Sequence, residues 1–243
     1  MSLDFPRSVR PIKLFLSYST KDRLIATEIK EALVFFGFEV FLAHQDVRPS
    51  LKWQQTILHE LKACDVFLPL LTRNFRSSFW TDQECGVALV LEKEILPVAY
   101  PYRVYGFLSA YQWLNGHKMA PQDIAFAVLM SLATNEKFKE RVKPGFIRRW
   151  CWAKADSKEV VTYTEVLILL APFSYREMNV ILTWGGQHYR TPSIVKAIDK
   201  LVARRGQRYS NRAAYDFAAW NNHIFSSPTA RQKVKAHHNW IWS

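Results

Sequence analysis

The chain has 243 residues, 49% hydrophobic and 22% charged, which is enough apolar mass for a sizeable core and too much for a disordered chain. No apolar run approaches the ~20 residues of a bilayer span, and the first residues lack the apolar stretch of a secretory signal, so no membrane partner and a cytoplasmic location are expected. Residues 1–100 carry 12 Lys and Arg against 12 Asp and Glu, so the whole net charge of +12 falls on the rest of the chain, which predicts two functional halves and an acidic partner for the basic one.

The first strand is expected over residues 13–18, a short apolar run between Pro11 and Ser19. A helix opens near Thr20, carries Leu24, Ile25, Ile29, Ala32, Leu33 and Phe36 at helical spacing, and ends at Gly37. A second strand spans 39–43, and a polar loop follows. Trp53, Ile57, Leu58 and Leu61 mark a second helix. Residues 65–71 are almost wholly apolar and predict a central strand. Residues 77–92 read as a helix and 95–100 as a fourth strand.

Strands separated by helices in this way imply right-handed crossovers and an open parallel sheet with helices on both faces. Ligands of such sheets bind outside the carboxyl ends of the strands. Three loops fall there: residues 17–22, 44–52 and 72–80. Neither GxGxxG nor GxxxxGK[ST] occurs, which excludes the dinucleotide fingerprint and the P-loop. Cys64, Cys85 and Cys151 are too widely spaced for a disulfide framework or a CxxC metal site, and read as buried free thiols. The seven histidines make no HExxH or other ligand cluster, so no metal is expected.

Residues 15–22, FLSYSTKD, resemble the first box of Toll/interleukin-receptor (TIR) domains. Asp46 and Val47 are similar to the start of that family's BB loop, although residues 48–51, RPSL, lack the glycine often found there. Residues 78–84, SFWTDQE, resemble the S-x-W-x-x-x-E signature of the NAD-cleaving branch. Residues 105–114 look like the run into a fifth strand, and 121–134 like the last helix. The resemblance covers residues 12–134. It implies a flavodoxin-like α/β fold with five parallel strands. In catalytic members it also implies cleavage of NAD to nicotinamide and linear or cyclic ADP-ribose, without a cofactor, and self-association through the TIR domain. A role in bacterial immune or cell-death signalling is likewise what the resemblance implies.

Breaking the nicotinamide–ribose bond leaves positive charge on the ribose, which a fixed carboxylate stabilises. Glu84 is the candidate, four residues after Trp80 and on the same helix face. Nicotinamide leaves as a neutral molecule, so no second acid is demanded. A solvated helix glutamate is the competing reading of Glu84, and a core aromatic that of Trp80. The substrate side is assigned to Trp80, Asp46, Ser19, Ser17 and His44. Asp46 also suits an Asx turn, and Ser19 and Asp22 suit helix caps. Trp53 is expected to pack beneath the loop before it. Two other classes of function compete: a non-enzymatic adaptor acting by homotypic association, and a nucleic-acid-sensing module.

Residues 135–243 predict a smaller, mainly helical domain that is basic and rich in tryptophan. Helices are expected at 164–170, 176–183 and 194–202, with a strand left open for 160–170. Lys137 to Arg149 and Arg190 to Arg212 are basic clusters interleaved with aromatics. They suit a solvated face over a tryptophan core, a protein interface, or nucleic acid bound through phosphates and stacking.

Overall fold

A computed structural model of the chain describes residues 10–43, 53–154, 157–184, 194–196, 198–199 and 201. The chain divides into two compact units, Met1–Arg149 and Trp150–Ser243.

The first unit is built on a parallel sheet of β1 (Lys13–Ser17), β2 (Glu39–Leu42), β3 (Val66–Leu71), β4 (Glu94–Ile95), β5 (Val98–Ala99) and β6 (Leu114–Asn115). Strand order is β2-β1-β3-β5-β6, and β4 pairs with β3 as well. Since β4 and β5 share one position beside β3, the sheet has the five positions and the flavodoxin-like order that were expected. The sequence reads residues 95–100 as one strand, whereas the structure breaks it at Leu96 and Pro97. The register gives the reason. Val66 pairs with Glu94 and Phe67 with Ile95, while Leu70 pairs with Val98 and Leu71 with Ala99. Pro69 therefore lies opposite Pro97, and neither ring has an N–H to donate to the ladder.

All six residues of β3 are buried, as a central parallel strand requires. Helices α1 (Arg23–Phe35) and α5 (Pro121–Thr134) pack together, as do α2 (Trp53–Ala63) and α4 (Phe79–Val90). The two-residue period of β1 divides its side chains between them. Phe15 joins one core with Ile57 and Leu61 of α2, Cys85 and Ala88 of α4, and Phe67 of β3. Leu14 and Leu16, also fully buried, are left to the opposite face. Between β3 and α4 lies a single turn, α3 (Arg73–Arg76), which the sequence reading did not separate from the loop.

The first unit continues past Thr134 into α6 (Lys139–Trp152), a helix the sequence reading missed. Pro144 and Gly145 stand in its middle and read as breakers. The glycine has a tertiary use. A Cβ on Gly145 would lie 2.7 Å from the Phe36 carbonyl oxygen and 3.1 Å from Gly37 Cα. Gly37, at φ +92°, ends α1 in the left-handed region that glycine favours. The two glycines let the α6 backbone touch the α1 terminus. Arg141 secures the same helix, donating to Asp65 Oδ1 at 2.9 Å and Oδ2 at 2.5 Å and to the Pro11 carbonyl at 2.9 Å. Asp65 Oδ2 accepts in turn from the Lys13 amide at 2.8 Å, so α6 fixes the start of β1.

In the second unit, α7 (Lys158–Leu170) and α8 (Tyr175–Trp184) are helices, which overturns the strand alternative for 160–170. Val160, Tyr163, Thr164, Val166, Leu167 and Leu170 are buried at helical spacing, and the Ser157 hydroxyl caps the Val160 amide at 3.2 Å. Ser174 and Glu177 form a reciprocal capping box at the start of α8. Residues 194–196, 198–199 and 201 are helical, with Ile194, Ile198 and Leu201 buried. Trp150 is fully buried and donates to Thr164 Oγ1 at 2.9 Å, whereas Trp152 is 73% exposed. The basic cluster at Arg204, Arg205 and Arg208 lies outside the described residues.

The glycine contact is testable against a control in the same unit. Gly145→Ala places a methyl group against backbone and is expected to cost about 2 kcal/mol in urea denaturation. Gly86, mid-helix in α4 with nothing within 4 Å of its built Cβ, should gain about 0.5 kcal/mol on the same change.

Candidate active site

The site forms at the carboxyl ends of β1 and β3. Ser17 is the last residue of β1, fully buried, and two residues from Phe15, so its side chain faces α4. On α4 the buried residues are Thr81, Glu84, Cys85 and Ala88, a stripe at helical spacing. Glu84 thus occupies a core-facing position and is 3% exposed, so the solvated-glutamate reading fails. Ser17 Oγ donates to Glu84 Oε2 at 2.5 Å. Burial pushes the Glu84 carboxyl up to about 7, and the Ser17 hydrogen bond draws it only partly back. A group poised in this range switches between neutral acid and carboxylate near neutral pH.

Trp80 lies one helical turn before Glu84, about 6 Å nearer the carboxyl edge along the helix axis. It is 37% exposed, so it is a rim residue and not the core aromatic of the competing reading. Its indole meets Trp53 edge to face, with centroids 4.3 Å apart and planes at 71°. Trp53 is partly buried against the α2–α4 core, so it braces the rim.

Ser19 is buried and takes the N-cap position of the 3-10 turn Thr20–Asp22, but its side chain makes no capping hydrogen bond. Asp22 stands in the N-cap position of α1 and makes none either. The capping role expected of both is corrected on that ground. The Asp22 carboxylate instead reaches across the edge, accepting from Thr72 Oγ1 at 2.5 Å and Asn74 Nδ2 at 2.8 Å. The pairing of β1 with β3 brings these loops together, and two side-chain donors there outcompete the local amides. His44 and Asp46 lie outside the described residues. The structure thus brings Ser17, Trp80 and Glu84 to one edge of the sheet, with Ser19 in the adjoining turn.

Several neighbours escaped the sequence reading. Thr81, fully buried, donates to the Phe75 carbonyl at 2.7 Å and the Ser78 carbonyl at 2.8 Å, and so ties the first turn of α4 to α3. The available signal was Thr81 standing three residues before Glu84 in one stripe. Across α4, Tyr105 donates to Asp82 Oδ1 at 3.2 Å, and the Arg76 guanidinium stacks on Tyr102 and Tyr105. Nothing local to residues 76–105 signals that cluster.

Cys64, Cys85 and Cys151 are free and buried, and burial pushes their thiols up to about 11, 12 and 12, which leaves them protonated and poor nucleophiles. Among the described residues no group of three or more His, Cys, Asp and Glu is placed to hold a metal ion, and no helix is long and apolar enough to cross a membrane.

Residues 14–130 match the family model described as TIR domain, a span from β1 into α5 that contains Ser17, Trp80 and Glu84. The comparison with curated proteins gave no significant match.

The raised Glu84 carboxyl has a consequence for stability. The folded protein holds this proton more tightly than the unfolded chain does. The stabilisation is therefore complete below the ordinary value of 4.5 and is lost as pH rises through about 7. Relative to Glu84→Gln, which has no such proton, the wild type should lose about 3 kcal/mol between pH 4.5 and pH 8. Urea denaturation of both proteins across that range measures it.

Proposed function

We propose that the TIR domain at residues 14–130 cleaves the nicotinamide–ribose bond of NAD, with Glu84 as the catalytic carboxylate. The supporting observation is a glutamate placed in the apolar stripe of α4, buried to 3% and hydrogen-bonded to Ser17 at the ligand-binding edge of the sheet. A TIR domain acting by association alone has no use for a carboxylate there, and burial makes it costly.

The chemistry follows from the charge. The bond between the ribose C1′ and the nicotinamide nitrogen breaks, and its electron pair neutralises the cationic ring. Positive charge passes to the ribose as an oxocarbenium-like state. An ionised Glu84, in a site of low polarity, stabilises that charge far more than an exposed carboxylate does. Ser17 holds one carboxylate oxygen and so orients the group. Trp80, exposed at the rim one turn above, offers a π face to a flat ring of the substrate. Water at C1′ gives ADP-ribose and releases a proton to solvent, while attack by a group of the same molecule gives a cyclic product. Self-association through the TIR domain, and recognition of an acidic partner or nucleic acid by the basic second half, are the interactions that accompany this reading.

Incubation of the purified chain with NAD, followed by separation of products, is the direct test. Wild type should release nicotinamide, and Glu84→Gln should be slower by about 10² or more, corresponding to ~3 kcal/mol of lost barrier stabilisation. Because the carboxylate is the active form, the wild-type rate should rise with pH through about 7 and then level off. A folded Glu84→Gln protein that turns over NAD like wild type excludes the assignment.

The rim indole is tested by a pair of changes. Trp80→Ala is expected to raise KM for NAD about tenfold, whereas Trp80→Phe, which keeps a π face, should raise it roughly two- to threefold. Equal KM values for all three proteins would make Trp80 only a brace for Trp53.

A further inference from the structure

The edge of the sheet holds a chain of side-chain contacts that begins at Asp22, a residue outside the chemistry described above. Its carboxylate accepts from the Thr72 hydroxyl and the Asn74 amide. The Thr72 hydroxyl, having given its proton to Asp22, accepts from the Phe75 amide at 2.9 Å and so caps α3. Phe75 is fully buried in the same core cluster as Phe15 and Cys85. Its carbonyl accepts from Thr81 Oγ1, and Thr81 precedes Glu84 by one turn on the buried stripe of α4. The other end of the chain is as short. Asp22 closes the turn that leaves β1, five residues after Ser17.

We infer that Asp22 is a positioning residue for the Ser17–Glu84 pair. It ties the exit of β1, which carries Ser17, to the α3 cap, which sets where α4 begins and hence where Glu84 lies. The argument is geometric. Apolar packing of Phe15 against Cys85 and Ala88 holds β1 and α4 together without direction. The 2.5 Å hydrogen bond between Ser17 and Glu84 therefore gains from a second directional link that keeps it in register, because a displacement of a few tenths of an ångström weakens it. Asp22 is suited to the task because a carboxylate accepts from two donors at once, one on each oxygen. Both donors follow β3, Thr72 as the N-cap of α3 and Asn74 within it, and charge-assisted bonds of this kind are about twice as strong as neutral ones. Ser17 faces Glu84 from β1, and on α4 the neighbouring Cys85 thiol is pushed up to about 12 and stays neutral. Asp82 lies two residues away on α4 and is turned toward Tyr105. The buried setting of Glu84 is what the Asp22 link preserves.

The catalytic part of this role rests on the proposed NAD chemistry, whereas the placement of Glu84 does not, and the experiment separates the two. The full chain labelled with glutamate ¹³C at the side-chain carboxyl is titrated by NMR, and the Glu84 signal is assigned by its absence in Glu84→Gln. Wild type should titrate near 7. In Asp22→Ala the freed α4 turn admits water, and the midpoint should fall by about one pH unit or more toward the ordinary carboxyl value. Asp22→Asn retains one acceptor and, with the Asn74 amide turned over, both contacts, so it should titrate close to wild type. Thr81→Val breaks the chain at its far end with an isosteric side chain and should reproduce the Asp22→Ala shift. It also serves if Asp22→Ala does not fold. In the kinetic arm, Asp22→Ala should lower kcat about tenfold with KM for NAD within twofold of wild type, and Asp22→Asn should recover most of it. A Glu84 midpoint that stays at the wild-type value in whichever of Asp22→Ala and Thr81→Val fold overturns the inference, whatever the kinetics. A wild type without NAD cleavage, but with the expected shifts, sets aside the NAD chemistry and leaves the positioning role standing.

Discussion

A carboxyl group buried in the apolar face of a parallel sheet is the constraint around which this domain is arranged. Glu84 stands where the α4 stripe calls for an apolar side chain, beside Cys85 and Ala88 and above the core that includes Phe15 and Phe67. Burial disfavours its ionised form, and the hydrogen bond from Ser17 offsets only part of that cost. Neither partner explains the other by local structure. Ser17 belongs to the end of β1 and Glu84 to a helix that starts after β3. Their contact depends on the parallel pairing of Leu14, Phe15, Leu16 and Ser17 with Val66, Phe67, Leu68 and Pro69.

The sheet supplies this pairing and also limits it. The opposed Pro69 and Pro97 interrupt the ladder where β4 gives way to β5, within a residue or two of the carboxyl edge. The ladder resumes at Leu70 and Leu71, and the Leu71 carbonyl accepts from the Tyr100 amide at 2.9 Å. Beyond it, side chains of Asp22, Thr72, Asn74 and Thr81 link the turns that follow β1 and β3. These contacts are directional, and they locate α4 more tightly than apolar packing alone does.

The excess positive charge has a more divided meaning than its count suggests. Arg141 is held by both oxygens of Asp65, and Lys143 is buried to 1% and paired with Glu140. Part of the basic run before Trp150 therefore serves the interior of the first unit. The tryptophans divide in the same way, Trp150 taking a core position and Trp152 an exposed one in the second unit.

Much of this was legible in the sequence, and the exceptions share a physical cause. Residue types and spacing gave the alternation of strands and helices, the central place of β3 and the sheet edge expected to hold a site, because those features follow from periodicity within a dozen residues. Trp80 and Glu84, by contrast, stood out through the resemblance of residues 78–84 to a family signature and not through spacing. Three matters were decided only by tertiary structure. The split of the fourth strand required knowing that Pro97 faces Pro69, which is a property of register. The helix at Lys139–Trp152 required knowing that Gly145 touches Gly37, since Pro144 and Gly145 read locally as breakers. The work of Asp22 required the approach of two loops fifty residues apart, where donors on one compete successfully with the local amides that a capping residue ordinarily serves. Local propensity specifies what a segment can become, whereas the partner of a buried polar group is chosen by whichever donor the folded chain brings within hydrogen-bonding distance.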